Sequence, residues 1–245
     1  MDIQKVTPRV ELLAHTPDPE NTIAVAAKLC YSDADIAEIK EGVESKDISG
    51  YIRMLLRLGH QSPFEHASFT FGIEGVSRAL LAQITRHRIA SFSVKSQRYV
   101  GLKESFQYVI PPAIEALGAE AVARYEEQMR TMADWYKEWQ GLLGTGEKSN
   151  EDARFVLPNA SETKMIVTMN ARELMHFFAL RCCNRAQWEI RDVAWQMLAL
   201  VDKVAPTLFA DCGPGCIKGA CPEGKMTCGK AAQMRAHYRA LRTEE

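Results

Sequence analysis

The chain has 245 residues, of which 47% are hydrophobic and 25% are charged, and its formal net charge is -1 at pH 7. These values are typical of a soluble globular protein, and the near-neutral charge argues against a general nucleic-acid-binding or membrane-binding surface. No apolar run approaches a membrane span and the N-terminus has no signal-peptide core, so we expect a cytoplasmic protein without a membrane partner. The seven cysteines are an odd number, which favours reduced thiols over a closed disulfide framework.

The N-terminal segment predicts a strand followed by two helices. Apolar residues at positions 10, 12 and 13 indicate the strand. Residues 17–20 open the first helix, which carries apolar residues at helical spacing. Residues 47–58 predict a second, amphipathic helix, and Gly59 is expected to end it.

A polar loop, residues 59–66, is predicted to lead into a strand, because apolar and polar residues alternate from Ala67 to Ile73. The loop carries His60 and His66 together with a serine and a glutamate, and functional residues concentrate on loops. The alternative is that the two histidines are a turn residue and a strand-start residue without a role in binding. A zinc site is disfavoured here because the spacing matches no common ligand set.

The next segment is a basic stretch in a chain that is otherwise balanced in charge. No acidic residue lies between Glu74 and Glu104, whereas these basic residues do: Arg78, Arg86, Arg88, Lys95, Arg98 and Lys103. Ser77 is a good N-cap for a short helix, and a serine-rich polar loop is predicted after Arg88. Guanidiniums at a helix end, followed by hydroxyl donors, can bind a phosphate group. The alternative is a solvated basic surface.

The C-terminal half predicts strands at residues 106–110 and 164–168. A long helix is expected over residues 114–143, and a shorter one over residues 170–181. The last clear helix begins near residue 186 and carries an apolar stripe as far as residue 204. Together with the N-terminal elements, this pattern predicts an α+β fold in which a small mixed or antiparallel sheet is flanked by a helical bundle.

The helix at residues 170–181 carries a charge on its apolar side. Arg181 shares a stripe with Leu174 and Phe177, and an unpaired charge in such a position is costly. Arg181 therefore needs an anionic or strongly hydrogen-bonding partner. That partner is either a ligand or a carboxylate of the protein such as Glu189.

The segment after residue 210 has a different composition, so we divide the chain into a single domain, residues 1–210, and a Cys-rich C-terminal appendage, residues 211–245. Its cysteines lie among Gly, Pro and Lys residues and are Cys212, Cys216, Cys221 and Cys228. They could bind a structural zinc ion, since a segment with few apolar residues needs another source of order. Their spacing does not match a standard zinc finger, and free or pairwise oxidised thiols are the alternative.

The basic stretch contains a specific motif. Arg86, His87 and Arg88 are followed after seven residues by Ser96, and shortly afterwards by another Arg. This motif is similar to the signature of the flavin-dependent thymidylate synthases. The resemblance extends, with further blocks in the same order, from about residue 26 to residue 190.

The resemblance implies an enzyme that methylates deoxyuridylate (dUMP) reductively to thymidylate. In that family the carbon comes from methylenetetrahydrofolate, the hydride comes from reduced FAD, and NADPH reduces the flavin again. No cysteine is required as a nucleophile, because the flavin carries the hydride chemistry. The resemblance also implies a homotetramer with active sites shared between subunits.

Residue roles follow from the resemblance by position. The residues expected near FAD are Ser62, Arg86, His87, Arg88, Asn170, Arg172 and His176, with His60 and Glu65 beside the flavin. The residues expected to hold dUMP, chiefly at its phosphate, are Gln83, Arg86, Ser96, Gln97, Arg98 and Arg154. Arg181 is expected to face the uracil ring and to favour negative charge on it during the reaction. Val94, Lys95 and Arg185 depart from the family pattern, so the contacts at Val94 and Lys95 stay open.

Two other functions compete with this hypothesis. One is an RNA-binding or nucleotide-binding protein in which Phe92 and Tyr99 stack on bases, and the net charge of -1 argues against it. The other is a flavin reductase that transfers no methyl group. Gln83, Ser96 and Arg154 argue against that function, because a reductase has no need of residues that hold dUMP.

Overall fold

A computed structural model describes residues 1–102, 105–144 and 146–242 of the chain. Lys103 of the basic stretch lies outside the described residues. Two compact units can be distinguished by their internal contacts. The first unit comprises residues 1–9, 73–86 and 92–166, and the second unit comprises residues 10–72, 87–91 and 167–245.

The described residues form both helices and strands. In order they are β1 (Asp2–Lys5), β2 (Arg9–His15), α1 (Pro19–Leu29), α2 (Ile36–Glu44), α3 (Ser49–Leu58), β3 (Ser68–Ser77), α4 (Arg78–Ile84), β4 (Ala90–Val94), β5 (Ser105–Tyr108), α5 (Pro112–Glu115), α6 (Ala119–Leu143), α7 (Glu147–Ala153), β6 (Glu162–Asn170), α8 (Ala171–Arg181), α9 (Trp188–Val204) and α10 (Ala231–Leu241). Short 3-10 turns lie at Ser62–His66, Arg154–Val156, Gly215–Ile217 and Gly224–Met226.

The strands of the described residues form a pair and a four-stranded sheet. β1 and β5 pair in parallel, and the larger sheet has the order β2, β3, β6, β4. Each strand of the larger sheet contributes residues to both units. The prediction of a mixed α and β fold with a small sheet is confirmed. Among the described helices, none combines the length and the apolar character that crossing a bilayer requires.

The first unit has a core between the strand pair and α6. In β5, Phe106 and Tyr108 are almost fully buried, and they pack with Met129 and Ala133 of α6. The predicted helix over residues 114–143 is interrupted, because Gly118 has a positive φ of 98° and α6 begins only at the next residue. A glycine tolerates this conformation without a steric cost, so it separates α5 from α6.

The second unit has an aromatic core. The ring of Phe209 packs against Phe69 of β3 at 5.4 Å and against Phe178 of α8 at 6.0 Å, both edge to face. The carboxylate of Glu20, in the first turn of α1, accepts hydrogen bonds from the backbone N–H groups of Thr207 at 2.7 Å and Leu208 at 2.8 Å. These two bonds fix the segment that carries Phe209.

Most predicted elements are confirmed, but a second prediction besides the continuous long helix is wrong. The serine-rich segment after Arg88 contains strand β4, not a polar loop. Its serines alternate with half-buried Phe92 and Val94, so one face of the strand is apolar and pairing with β6 stabilises it. The predictions also missed α2, which Asp35 caps by accepting a bond from the Glu38 N–H at 2.9 Å, and α10, which has no buried residue.

Candidate active site

Helix α8 of the second unit presents several of the predicted site residues. Asn170 caps it, because its side-chain oxygen accepts a hydrogen bond from the Glu173 N–H at 2.9 Å. Leu174 and Phe177 are fully buried and fix the rotation of the helix. Arg181, the last helical residue, follows in the same stripe, as the sequence predicts.

A buried hydrogen-bonded chain connects this helix to the Arg-His-Arg motif. His87 is only 6% exposed, and its Nδ1 lies 2.8 Å from Oε1 of Glu173. On the other side of the ring, Nε of Arg181 donates to Nε2 of His87 at 3.1 Å. The His87 ring packs edge to face on Phe177, at 4.9 Å between centroids. We call Glu173, His87 and Arg181 the buried triad.

The protonation of His87 follows from its surroundings. Burial lowers the pKa of His87, the carboxylate of Glu173 raises it, and the positive charge of Arg181 lowers it again. The net effect is a His87 pKa below the usual value for histidine, so the imidazole is neutral at pH 7. The carboxylate of Glu173 can only accept and the guanidinium of Arg181 can only donate. Together they place the single ring proton on Nδ1, where it is donated to Glu173, and leave Nε2 to accept from Arg181.

A cavity of about 550 Å³ opens beside the triad in the second unit. Among its lining residues are Glu65, Asn170, Arg172 and His176, which the sequence predicts near FAD, together with Glu173. Arg172 also forms an ion pair with Glu65. The cavity therefore offers guanidinium, amide and imidazole donors, and these fit the phosphate and ring-edge acceptors of a flavin nucleotide.

His60 lines a different cavity. This space of about 680 Å³ lies among α1, α2 and α3, and Tyr31, Tyr51, Lys28 and Lys46 also line it. The rings of Tyr31 and His60 are 6.4 Å apart. His60 and Glu65, which the resemblance places beside the flavin, therefore line different cavities. Ser62 and Arg88 are exposed on the second unit.

The first unit carries the residues predicted to hold dUMP. Ser96 orders its own loop, since its Oγ accepts a hydrogen bond from the Arg98 N–H at 3.2 Å. Asn150 donates to the backbone carbonyl of Arg98 at 3.0 Å, and Nε of Arg98 pairs with Glu147 at 3.0 Å. Lys95 pairs at 3.0 Å with Glu162, whose side chain is almost buried, so Lys95 has a structural role. Gln97 is half-buried in the same loop.

Two guanidiniums of the first unit, those of Arg78 and Arg154, carry like charges that act on one another. Burial lowers the pKa of Arg78, and the positive charge of Arg154 lowers it further. Such a pair repels unless an anion lies between or beside the two charges. Nε of Arg154 donates to the carbonyl of Glu151 at 3.1 Å, and the Gln83 amide donates to the carbonyl of Ala79 at 3.1 Å. Arg86 is exposed.

Comparison with known proteins identifies the family. The family model described as thymidylate synthase complementing protein matches residues 11–207. The chain belongs to this family.

Relatives of the thymidylate synthase complementing family match nearly the whole chain. A flavin-dependent thymidylate synthase of Geobacter sulfurreducens is 53% identical over 95% of this chain and 99% of its own length. One of Clostridium tetani is 49% identical over 94% of this chain and 96% of its own. A solved structure of the UMP/dUMP methylase PolB from Streptomyces cacaoi, bound with 5-Br dUMP, has a TM-score of 0.70 and 25% identity, and covers 86% of this chain and 96% of that one.

The sequence reasoning missed Glu173 as a site residue in this family member. Glu173 is 7% exposed and contributes a carboxylate both to the buried triad and to the cavity. The sequence did contain a signal: Glu173 follows Asn170 by three residues, which is the spacing of a capping box. In the structure the Glu173 carboxylate bonds to His87 and does not complete the capping box.

The structure brings together only part of the cysteine set predicted for zinc. The Cys212 thiol is directed at the carbonyl of Leu208, at 3.9 Å, and burial raises its pKa to about 12. The small cavity of about 30 Å³ in this region is lined by Cys183, from the end of α8, with Cys216, Cys221 and Cys228. Across residues 1–102, 105–144 and 146–242, no group of three or more His, Cys, Asp or Glu side chains is arranged to hold a metal ion.

We expect the thiols to differ in reactivity. Cys30 is exposed, whereas Cys182 and Cys212 are buried and burial raises the pKa of both thiols. Because the thiolate is the reactive form, iodoacetamide at pH 8 should modify Cys30 rapidly and leave Cys182 and Cys212 unmodified until denaturant is added. Peptide mass spectrometry after timed alkylation measures this order. A Cys30→Ser variant is the control, and modification of native Cys212 at the rate of Cys30 would contradict the prediction.

Proposed function

We propose that the chain is a flavin-dependent thymidylate synthase, which methylates dUMP reductively with methylenetetrahydrofolate as the carbon donor. The observation that carries this proposal is the buried triad. It joins the histidine of the Arg-His-Arg motif, predicted near FAD, to Arg181, predicted at the uracil ring. Membership in the thymidylate synthase complementing family and similarity to relatives over almost the full length support it.

FAD is the proposed cofactor, and when bound it supplies the hydride. The cavity beside the triad supports binding through Asn170, Arg172, His176 and Glu65. The motif residues Arg86, His87 and Arg88, with Ser62 and His60, are proposed to complete the contacts. The Arg172–Glu65 ion pair must loosen if the guanidinium is to bind a flavin phosphate, since both groups are solvent-exposed and a surface pair is weak.

We propose that dUMP binds through guanidiniums of the Arg-rich segments and through the ordered loop at Ser96. The like charges of Arg78 and Arg154 support a phosphate position, because an anion relieves the repulsion between them. Arg78 is added to the residues expected from the motif, which are Gln83, Arg86, Ser96, Gln97, Arg98 and Arg154. At the ring, Arg181 is proposed to stabilise negative charge as the uracil accepts electron density.

Other parts of the proposal concern partners and organisation. NADPH is proposed to reduce the flavin, and the α1–α3 cavity suits either NADPH or the folate, because both carry aromatic rings and anionic groups that match its tyrosines and lysines. We also propose a cytoplasmic homotetramer with shared sites. Residues 211–245 are proposed to be an appendage to a catalytic domain at 1–210, which the end of the family match at residue 207 supports.

The visible absorption spectrum of the purified protein, incubated with FAD and desalted, tests this function first. We expect a flavin spectrum that NADPH bleaches anaerobically, at a rate that changes when dUMP is added. Formation of thymidylate from dUMP and methylenetetrahydrofolate, followed by chromatography, then separates a synthase from a reductase. A protein that retains no flavin, or that oxidises NADPH without ever forming thymidylate, would overturn the proposal.

A further inference from the structure

The buried triad contains a carboxylate to which the family motif assigns no part. Glu173 and His87 have side chains only 8% and 4% exposed, so their 2.8 Å contact is shielded from water. A carboxylate buried in this way is costly unless it is paired and hydrogen-bonded. Helix α8 does not need a carboxylate at its third residue, because Asn170 already caps the helix. The contact with His87 therefore explains the buried carboxylate of Glu173, and helix capping does not.

We propose that Glu173 is a positioning residue that holds His87 in its Nδ1–H tautomer and thereby fixes the guanidinium of Arg181 for the uracil ring. This inference rests on the proposed function, in which Arg181 contacts dUMP. The first link is the contact from Nδ1 of His87 to Oε1 of Glu173, and the second is the bond from Nε of Arg181 to Nε2 of His87.

The chemistry of the three side chains allows this one arrangement. A neutral imidazole has one donor and one acceptor nitrogen, and the two tautomers are similar in energy until a neighbour selects between them. An ionised carboxylate only accepts, so Glu173 selects the proton on Nδ1. The opposite nitrogen then accepts from Arg181, whose N–H groups only donate. With the other tautomer, N–H would face N–H and the bond between Arg181 and His87 would be lost.

The bond at Nε matters because it restrains the plane of the guanidinium. Arg side chains have large rotamer entropy, and a group that stabilises charge in a transition state is effective when it is already oriented. Arg181 is half-buried at the end of α8, with its apolar stripe fixed by Leu174 and Phe177. The triad adds the polar restraint that this apolar packing cannot supply.

The triad also predicts a pH dependence of dUMP binding. The groups whose charges act on His87 are Glu173, Arg181 and His176, and burial lowers its pKa further. A second ring proton would occupy Nε2 and displace Arg181. Binding should therefore be complete above the lowered pKa of His87 and weaken as the pH falls through it. Glu173→Gln removes a charge that raises this pKa, so the acid limb should move to lower pH.

The test compares the wild type with Glu173→Gln and Glu173→Leu, using two readouts. Nitrogen-15 NMR of histidine-labelled protein reports the His87 tautomer directly, without flavin or substrate. Calorimetric titration of the FAD-loaded protein with dUMP reports affinity from pH 5 to pH 8. Glu126→Gln is a matched control, since that carboxylate accepts a bond from the Tyr108 hydroxyl in the first unit.

We expect Nδ1–H in the wild type and a shift toward Nε2–H in Glu173→Leu, with dUMP affinity reduced about ten-fold or more by loss of the charge-assisted link. Glu173→Gln should keep its fold, retain more affinity and show the shifted acid limb, and Glu126→Gln should match the wild type. An unchanged tautomer in Glu173→Leu, or an unchanged acid limb in Glu173→Gln, would overturn the inference. If Glu173→Leu does not fold, Glu173→Gln decides alone. A wild-type protein with the Nδ1–H tautomer that never binds dUMP would instead contradict the proposed function.

Discussion

Replacing Arg181 by alanine is expected to lower the turnover of dUMP to thymidylate by at least about a hundred-fold, because a preoriented charge next to the reacting ring contributes several kcal/mol to the transition state. The structure explains why the expected loss of turnover is large. Arg181 ends an apolar stripe and is held at Nε by His87, so its orientation is set before substrate arrives. Single-turnover thymidylate formation at saturating dUMP measures the effect on the chemical step.

A matched control for this variant is Arg130→Ala. Arg130 is exposed on α6 and pairs with Glu127 of the same helix, and such surface pairs contribute little. We expect its turnover to equal that of the wild type. If Arg181→Ala made thymidylate at the wild-type rate, the assignment of Arg181 to the uracil ring would be wrong, and the buried triad would have only a structural role.

Replacing Phe209 by alanine is expected to lower the free energy of unfolding by about 3–5 kcal/mol, the usual cost of emptying a well-packed aromatic site. Phe209 is fully buried and packs edge to face on Phe69 and Phe178. In a protein of this size the change corresponds to a fall in Tm of about 6 °C or more. Differential scanning calorimetry at a fixed protein concentration measures it.

Phe155→Ala is the control for this loss of stability. Phe155 is 82% exposed, so the same chemical change removes almost no buried area. We expect its Tm to lie within about a degree of the wild-type value, since exposed substitutions change stability by roughly 0.5 kcal/mol or less. Equal losses in the two variants would show that Phe209 does not anchor the core of the second unit.

Local sequence patterns predicted the elements whose stability is mostly local. Helix α8 follows from its cap and its stripe, and β3 follows from strict alternation. Two secondary-structure predictions were wrong. One depended on pairing with a distant strand, and the other depended on the backbone conformation of a single residue. Strand β4 is short and rich in serine, so its pairing with β6 decides its conformation. Gly118 interrupts an otherwise continuous apolar pattern by its backbone conformation alone.

The structure groups only some of the residues that the resemblance places near the flavin. Glu65, Asn170, Arg172 and His176 line one cavity, whereas His60 lines another. The contact between His87 and Glu173 joins residues that are far apart in the chain, and no spacing rule connects them.

The cysteines also show that spacing in the sequence does not predict which side chains meet in the fold. Cys183, at the end of α8, joins Cys216, Cys221 and Cys228 in one cavity, while Cys212 does not. Sequence proximity grouped Cys212 with its neighbours, but its thiol bonds locally to the carbonyl of Leu208, four residues earlier.

The parallel pair of β1 and β5 has a consequence for how the chain folds during synthesis. Asp2 pairs with Ser105, so β1 is synthesised well before the strand with which it pairs. Pairing over such a sequence separation requires closing a long loop before any contact is gained, which slows folding. The unpaired edge of β1 is therefore exposed in the nascent chain. We expect refolding to show a slow phase in which protection of the β1 amides against hydrogen exchange appears together with that of β5.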